Sequence, residues 1–174
     1  MRTEIRIAGF GGQGVVLAGL LLGEAAIRDG KQAVQTQSYG PESRGGAARS
    51  EVLISDEKID YPKVIEADVL VALSQEAFDK FRPAVKKGGT IIIDRDLVKV
   101  KEDRLRSVPF TKMADTLGKK VVANSVMLGY LVASTEVISA ESMQAVIREN
   151  VPKHTIDLNL QAYDKGIEFW RQEE

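Results

Sequence analysis

The sequence has 174 residues, 44% hydrophobic and 28% charged, with a formal net charge of -1 and no cysteine. That length and balance suit one soluble globular domain, residues 1–174, around a single core. The near-neutral charge excludes a general attraction to nucleic acid or to anionic lipid, and the missing cysteine excludes disulfides, thiolate nucleophiles and iron–sulfur clusters ligated by this chain.

Met1-Arg2-Thr3-Glu4 carries no signal-peptide pattern. A short apolar strand at residues 4–8 then runs into GFGGQG and a helix over residues 13–28. The longest apolar run, residues 15–22, is too short to span a bilayer and contains Gly19. The expected compartment is the cytoplasm. The helix reads VVLAGLLLGEAAI with Glu24 as its one charge, so it should be buried on nearly every face, inside the domain or under a partner subunit.

Strands are expected at residues 33–38, 51–55, 69–73, 90–94 and 120–123, with a helix over residues 75–85. The strands at 33–38 and 51–55 are joined without an obvious helix, so that pair can be antiparallel and the sheet mixed. After Asn124 the chain reads as helical over 125–134, 139–150 and 156–172. Ser139 is placed to cap the second of these, with Glu141 in its first turn. Ile156, Leu160, Tyr163, Ile167 and Trp170 form a one-face stripe on the last, read as core packing. The pattern predicts a three-layer α/β/α sandwich with a mostly parallel sheet, open to a mixed one, and a helical C-terminal part.

Gly9, Gly11 and Gly14 match the G-x-G-x-x-G fingerprint between a strand and a helix. Such a loop permits a tight turn and offers helix-terminal N–H groups to an anion. An NAD site also needs an acidic residue closing the second strand, about twenty residues on. Residues 33–39 read AVQTQSY and contain none, and the nearest arginine for an NADP phosphate is Arg44. The loop therefore serves close helix–sheet packing, or meets a phosphate or another chain, better than it serves a dinucleotide. A second constellation, QTQSYGPESRGGAARSEVLIS, holds the turn Gly40-Pro41 and an arginine beside two glycines, Arg44-Gly45-Gly46. Arg44 and Arg49 can both offer a guanidinium fork to an anion; the alternative is an ordinary glycine-rich hairpin with Arg44 paired to Glu42 or Glu51.

Other groups carry less. Asp94-Arg95-Asp96 ends a strand where two carboxylates can hold magnesium, but the intervening arginine and the lack of nearby ligands favour a solvated loop. His154, the one histidine, has no placed partner and reads as a surface or cap residue. Ser74, Asn124 and Ser125 stand at strand-to-helix junctions and read as N-caps before ligand contacts. No G-x-S-x-G or H-E-x-x-H occurs, so hydrolase chemistry has no foothold.

Taken together, GFGGQG, QTQSYGPESRGGAARSEVLIS, YPKVIEADVLVALSQEAF and NSVMLGYL resemble the γ subunit of the 2-oxoacid:ferredoxin oxidoreductases, over most of the chain. The Tyr39-to-Gly46 stretch is the most specific part and resembles the 2-oxoglutarate branch more than the pyruvate branch. The resemblance implies a subunit of a complex that cleaves a 2-oxoacid on thiamine diphosphate and magnesium. Electrons then pass through iron–sulfur clusters to ferredoxin, and an acyl-CoA forms. It implies thiamine-binding and iron–sulfur partner chains, and a homodimer when the chain is isolated. The absence of cysteine and of a Gly-Asp-Gly motif places the clusters and the thiamine site in those partners, so no cofactor is expected on this chain alone and no residue is assigned a catalytic or metal-binding role. CoA or a partner subunit is expected against Gly9, Gly11, Gly12, Gln13 and Gly14, and against Tyr39, Gly40, Pro41, Glu42, Ser43, Arg44, Gly45 and Gly46. Two rivals stay open: a free-standing dinucleotide-dependent oxidoreductase, and an assembly module with no ligand.

Overall fold

A computed structural model describes residues 1–38, 47–102 and 105–173. Its strands are β1 (Arg2–Gly9), β2 (Gln32–Ser38), β3 (Ala48–Ser55), β4 (Ala67–Ala72), β5 (Val85–Asp94) and β6 (Arg106–Val108). The helices are α1 (Val15–Arg28), α2 (Gln75–Phe81), α3 (Phe110–Thr116), α4 (Ala123–Thr135), α5 (Ala140–Asn150) and α6 (Ile156–Glu173).

The strands form one sheet in the order β2-β3-β1-β4-β5-β6. β4 lies parallel to β1, β5 to β4 and β6 to β5. β3 runs antiparallel between β1 and β2, so the sheet is mixed and the suspected antiparallel pair is real. Alternation of side chains across the pleat divides the core in two. Ile5, Ile7, Val52, Ile54, Val69, Val71 and Ile92 face α1 and α3–α6. Ala8, Leu70, Ala72 and Ile93 face Phe78 and Phe81 of α2, with Val98 from the following loop. The expected α/β/α layering holds, with one layer much thicker than the other.

Two expectations change. Residues 120–123 are not a strand: Lys120–Val122 make a 3-10 turn that leads into α4. β6 already occupies the position beside β5, and Val122 is drawn into the helical core instead. A short apolar run does not distinguish strand from helix by itself. β6 and α3 have no counterpart among the expected elements; three residues are too few to establish a period in β6.

The helical layer is built around α4, whose residues from Asn124 to Val132 are all buried. It lies unusually close to α6. A Cβ on Gly129 would collide with the Tyr163 carbonyl oxygen, and one on Gly166 with the Val126 carbonyl oxygen. The expected α6 stripe packs into the same core through Leu160, Tyr163, Ile167 and Trp170. The Ser125 hydroxyl donates to Asn159 Oδ1 at 2.6 Å, a buried link between the two helices. Ser139 caps α5 as expected, accepting from Ser142 N. Asp29, beyond the end of α1, accepts from the Ser139 and Ser142 hydroxyls and so fastens α1 to α5.

α1 meets its expectation only in part. Val15, Ala18, Leu21, Leu22, Ala25 and Ala26 are buried, while Leu17, Leu20 and Ile27 remain 36%, 48% and 60% exposed. Among the described residues no helix is long and apolar enough to cross a membrane.

Candidate functional site

β1 and β4 are parallel neighbours whose following helices leave in opposite directions. The chain after β1 turns to α1 in the thick layer; the chain after β4 turns to α2 in the thin one. The loops diverge and leave a crevice outside the carboxyl ends of the strands, the place where open α/β sheets bind ligands. Its opening measures 310 Å³ and is lined by Gly12, Gln13, Leu73, Asp94, Thr111, Lys120, Val121 and Asn124, among others.

The glycine loop forms one wall. Gln13 Oε1 accepts from Phe10 N at 2.6 Å, and Gln13 Nε2 donates to the Leu73 carbonyl at 2.9 Å. That one side chain closes its own loop and ties it to the end of β4. Gly14, at φ 72° and ψ 22°, is the residue that turns the chain into α1. A side chain there would suffer both the left-handed backbone and Asn124, whose Nδ2 would lie 2.5 Å from the added Cβ. No side chain caps α1, and the amides of Val15, Val16 and Leu17 have no partner among the described residues, the first bond of the helix being Ala18 N to the Gly14 carbonyl. Those amides and the helix dipole favour an anion at this point.

Asn124, one residue into α4, is 7% exposed and lines the crevice. Among the described residues its amide makes no hydrogen bond within the protein, and it opens onto the crevice. Asn124 and Ser125 were expected as caps; both lie inside α4, where neither caps it. Ser74 does cap α2, accepting from Ala77 N at 3.2 Å. Lys120 also lines the crevice and is the one basic residue of its lining among the described residues.

The floor explains Asp94-Arg95-Asp96. Asp94 is 1% exposed and accepts from Thr111 Oγ1 at 2.7 Å, Thr111 N at 3.1 Å and Asp96 N at 3.1 Å. Asp96 accepts from Lys112 N at 2.8 Å. The pair caps the start of α3 from the end of β5; the expected solvated loop holds for the exposed Arg95 and half-buried Asp96, whereas Asp94 is buried. Burial pushes the Asp94 carboxyl above its ordinary range, against the Thr111 hydrogen bonds that pull it down. No cluster of metal-ligating side chains occurs among the described residues. His154 sits exposed on the 3-10 turn Lys153–Thr155, away from this crevice.

Of the site residues expected from sequence, Gly12 and Gln13 line the crevice and Gly14 lines the groove beside it, while Gly9 ends β1 and Gly11 is exposed in the loop. Tyr39, Gly40, Pro41, Glu42, Ser43, Arg44, Gly45 and Gly46 lie outside the described residues. Their flanks do not: Ser38 pairs with Arg49, and Ala48 with Gly9, so this connection leaves the sheet at the same end as the glycine loop. Arg49 is committed elsewhere, lying 3.6 Å from Glu51 and over the Phe81 ring. Glu51 also holds the buried Arg6, whose Nε donates at 2.8 Å. Lys120, Asn124 and Asp94 come together only through the fold; the sequence offered Asp94 as a possible magnesium ligand, Asn124 as a cap, and Lys120 only as part of an expected strand.

The sheet order also weakens the dinucleotide reading. In a doubly wound dinucleotide fold the second strand lies beside the first and its terminal acid reaches the ribose. Here β3 intervenes, so the end of β2 stands two strand spacings from β1, about 10 Å. Gln13, moreover, spans the start of the crevice with its amide.

Comparison with known proteins agrees with this architecture. The profile of the pyruvate ferredoxin/flavodoxin oxidoreductase family matches residues 4–169. The chain is 52% identical to a 2-oxoglutarate synthase subunit KorC of Methanocaldococcus jannaschii, over 99% of this chain and 96% of that one. It superposes on the γ subunit of a keto/oxoacid ferredoxin oxidoreductase from Geobacter sulfurreducens with a TM-score of 0.86 at 43% identity, covering 98% and 99% of the two chains. It also superposes on a 2-oxoglutarate:ferredoxin oxidoreductase from Magnetococcus marinus, solved with 2-oxoglutarate, coenzyme A and succinyl-CoA bound. There the TM-score is 0.88 at 25% identity, over 98% of this chain and 31% of the longer one. With a family match across nearly its whole length and the same fold in a γ subunit, the chain belongs to the pyruvate ferredoxin/flavodoxin oxidoreductase family.

Proposed function

We propose that this chain is the γ subunit of a 2-oxoglutarate:ferredoxin oxidoreductase and that its crevice receives the phosphate-bearing end of CoA. The complex decarboxylates the 2-oxoacid oxidatively, transfers the acyl group to CoA and passes the electrons to ferredoxin. Decarboxylation and electron transfer run on thiamine diphosphate and iron–sulfur clusters, neither of which this chain is built to hold. It has no cysteine, no Gly-Asp-Gly motif and, among the described residues, no metal-ligating cluster. Those steps are assigned to partner chains in the cytoplasm.

The observation that carries the coenzyme reading is the meeting of uncapped α1 amides, the unpartnered Asn124 amide and Lys120 in one crevice. Helix-terminal N–H groups and an ammonium suit a phosphate. A volume of 310 Å³ is at the low end for ligand pockets, enough for part of the coenzyme rather than all of it. Arg44, on the connection that departs beside this crevice, supplies a guanidinium fork to the same group of phosphates.

The test is the CoA dependence of acyl-CoA formation by the assembled complex. Loss of one charge-assisted contact in Arg44→Ala should cost about 1.5–3 kcal/mol, roughly ten- to hundredfold in apparent CoA affinity. Arg44→Lys should rescue only in part, because lysine keeps the charge and loses the fork. Normal assembly with unchanged CoA affinity would remove the ligand role. The isolated chain should turn over no 2-oxoacid and should bind NAD more weakly than about 10 μM; tighter binding would restore the dinucleotide rival.

A further inference from the structure

Beside the crevice, on the far side of Gly12 and Asn124, lies a second groove of 280 Å³ whose walls are mainly apolar. Leu17, Val121, Val122, Val151, Pro152 and Leu158 line it. Val121 stands 71% exposed at its edge. From Leu17 the apolar surface continues along α1 through Leu20 to Ile27, a ridge about 15 Å long at 1.5 Å per residue, interrupted only by Glu24. Water contact with such a surface is unfavourable, and an exposed apolar patch that joins the groove to Leu17 and Leu20 marks an interface.

The rim is basic. Lys119 lines the groove, Lys120 precedes Val121, and Lys153 and His154 follow Pro152. Asp157 is the acid beside the groove, and Glu24, which accepts from Asn150 Nδ2 at 2.9 Å, lies further along α1. None of the three lysines has an ion-pair partner among the described residues. Elsewhere on the surface Arg28 meets Glu149 and Lys86 meets Asp68, both at 2.9 Å. The uncapped end of α1 adds its partial positive charge to the same side.

We infer that this face docks a partner chain of the oxidoreductase through an apolar segment flanked by Asp or Glu side chains. The inference rests on the γ-subunit reading above. Leu17, Leu20 and Ile27 require an apolar cover, which the phosphates and ribose of a coenzyme do not supply. A two-fold contact of this face with a second copy would bring two lysine rims into one interface, where like charges disfavour it. An acidic, apolar segment satisfies both the ridge and the rim.

The experiment co-expresses this chain with its thiamine-binding and iron–sulfur partner chains and measures the affinity of assembly. Leu20→Glu, and separately the pair Lys119→Glu and Lys153→Glu, should each weaken assembly at least tenfold, and the wild-type affinity should fall with rising salt. Ile65→Glu, on an exposed residue remote from this face, should assemble as wild type does. Circular dichroism and thermal unfolding of each isolated variant show that it is folded. Folded variants that assemble with wild-type affinity overturn the docking face alone. So does a self-association that Leu20→Glu abolishes while partner assembly is untouched, since the occupant is then a second copy. Weakened CoA binding with normal assembly assigns the groove to the coenzyme and overturns it equally. Failure of the wild-type chain to assemble overturns the γ-subunit reading, and the docking face with it.

Discussion

α1 and α4 read almost alike in the sequence: VVLAGLLLGEAAIR and ANSVMLGYLVAST are both apolar with hardly a charge. The fold treats them differently. α4 is buried from Asn124 to Val132, covered by α6, α3, α1 and α5. α1 is covered by β2, β3, α4 and α5 on one side and leaves Leu17, Leu20 and Ile27 in the open. Apolar character on all faces states that a helix requires cover. It does not state whether its own chain provides it.

A single methyl group moves the two helices in opposite directions. Gly129→Ala drives a Cβ into the Tyr163 carbonyl, which is backbone and cannot rotate away. It should cost about 3 kcal/mol, at the upper end for overpacking, read as a lower midpoint in urea unfolding. Gly23→Ala in α1 meets only Gln35 and Val52 side chains at 3.9 Å. There the better helix propensity should give a gain of about 0.5–1 kcal/mol. If both changes destabilise equally, the close α4–α6 contact is not what holds the helical layer.

Truncation sharpens the same contrast at the next level. Leu131→Ala in α4, fully buried, should cost about 2–5 kcal/mol. Leu20→Ala in α1 should change the isolated chain by less than about 0.5 kcal/mol, as surface substitutions do. In the assembled complex Leu20→Ala should lose stability that the isolated chain never had, and thermal unfolding of both forms would show it.

Asn124 tests the junction between the helices. Its amide has no hydrogen bond to lose among the described residues. Asn124→Ala should therefore shift stability by about 1 kcal/mol or less, yet weaken the CoA dependence of the complex about tenfold. A stability loss with unchanged CoA response would make the residue structural.

The smallest effect concerns how the helices begin. α1 has no side-chain cap, whereas α3 is capped from outside by Asp94. The Asp94 carboxyl is raised in the folded state because burial penalises its charge. Its contribution is then fully present below the ordinary carboxylate range and declines as pH rises through the raised value. The stability of wild type relative to Asp94→Asn should accordingly fall as pH is taken upward from acid through that range. A difference that grows with pH would mean that the Thr111 hydrogen bonds outweigh the burial.

Much of this was legible in the residues themselves. Local periodicity gives β1, α1, β4, α2, α5 and α6 within a few positions, because strand and helix periods are properties of neighbouring side chains. GFGGQG locates the wall of the crevice for the same reason: tight turns are written locally. The absence of cysteine assigns the clusters to other chains with no structure at all. What depended on tertiary structure joins residues far apart. The register Gly9 with Ala48 and Ser38 with Arg49 inserts β3 between β1 and β2 and removes the geometry a dinucleotide requires. Lys120–Val122 becomes a turn because β6 already fills the place beside β5. Asp94 caps a helix that starts sixteen residues later, and Asn124 meets Gly14 across 110 positions. Composition likewise fixed how much apolar surface α1 carries; only packing decided which of its sides was left for another molecule, since burial is settled by the whole arrangement of elements and not by the helix that seeks it.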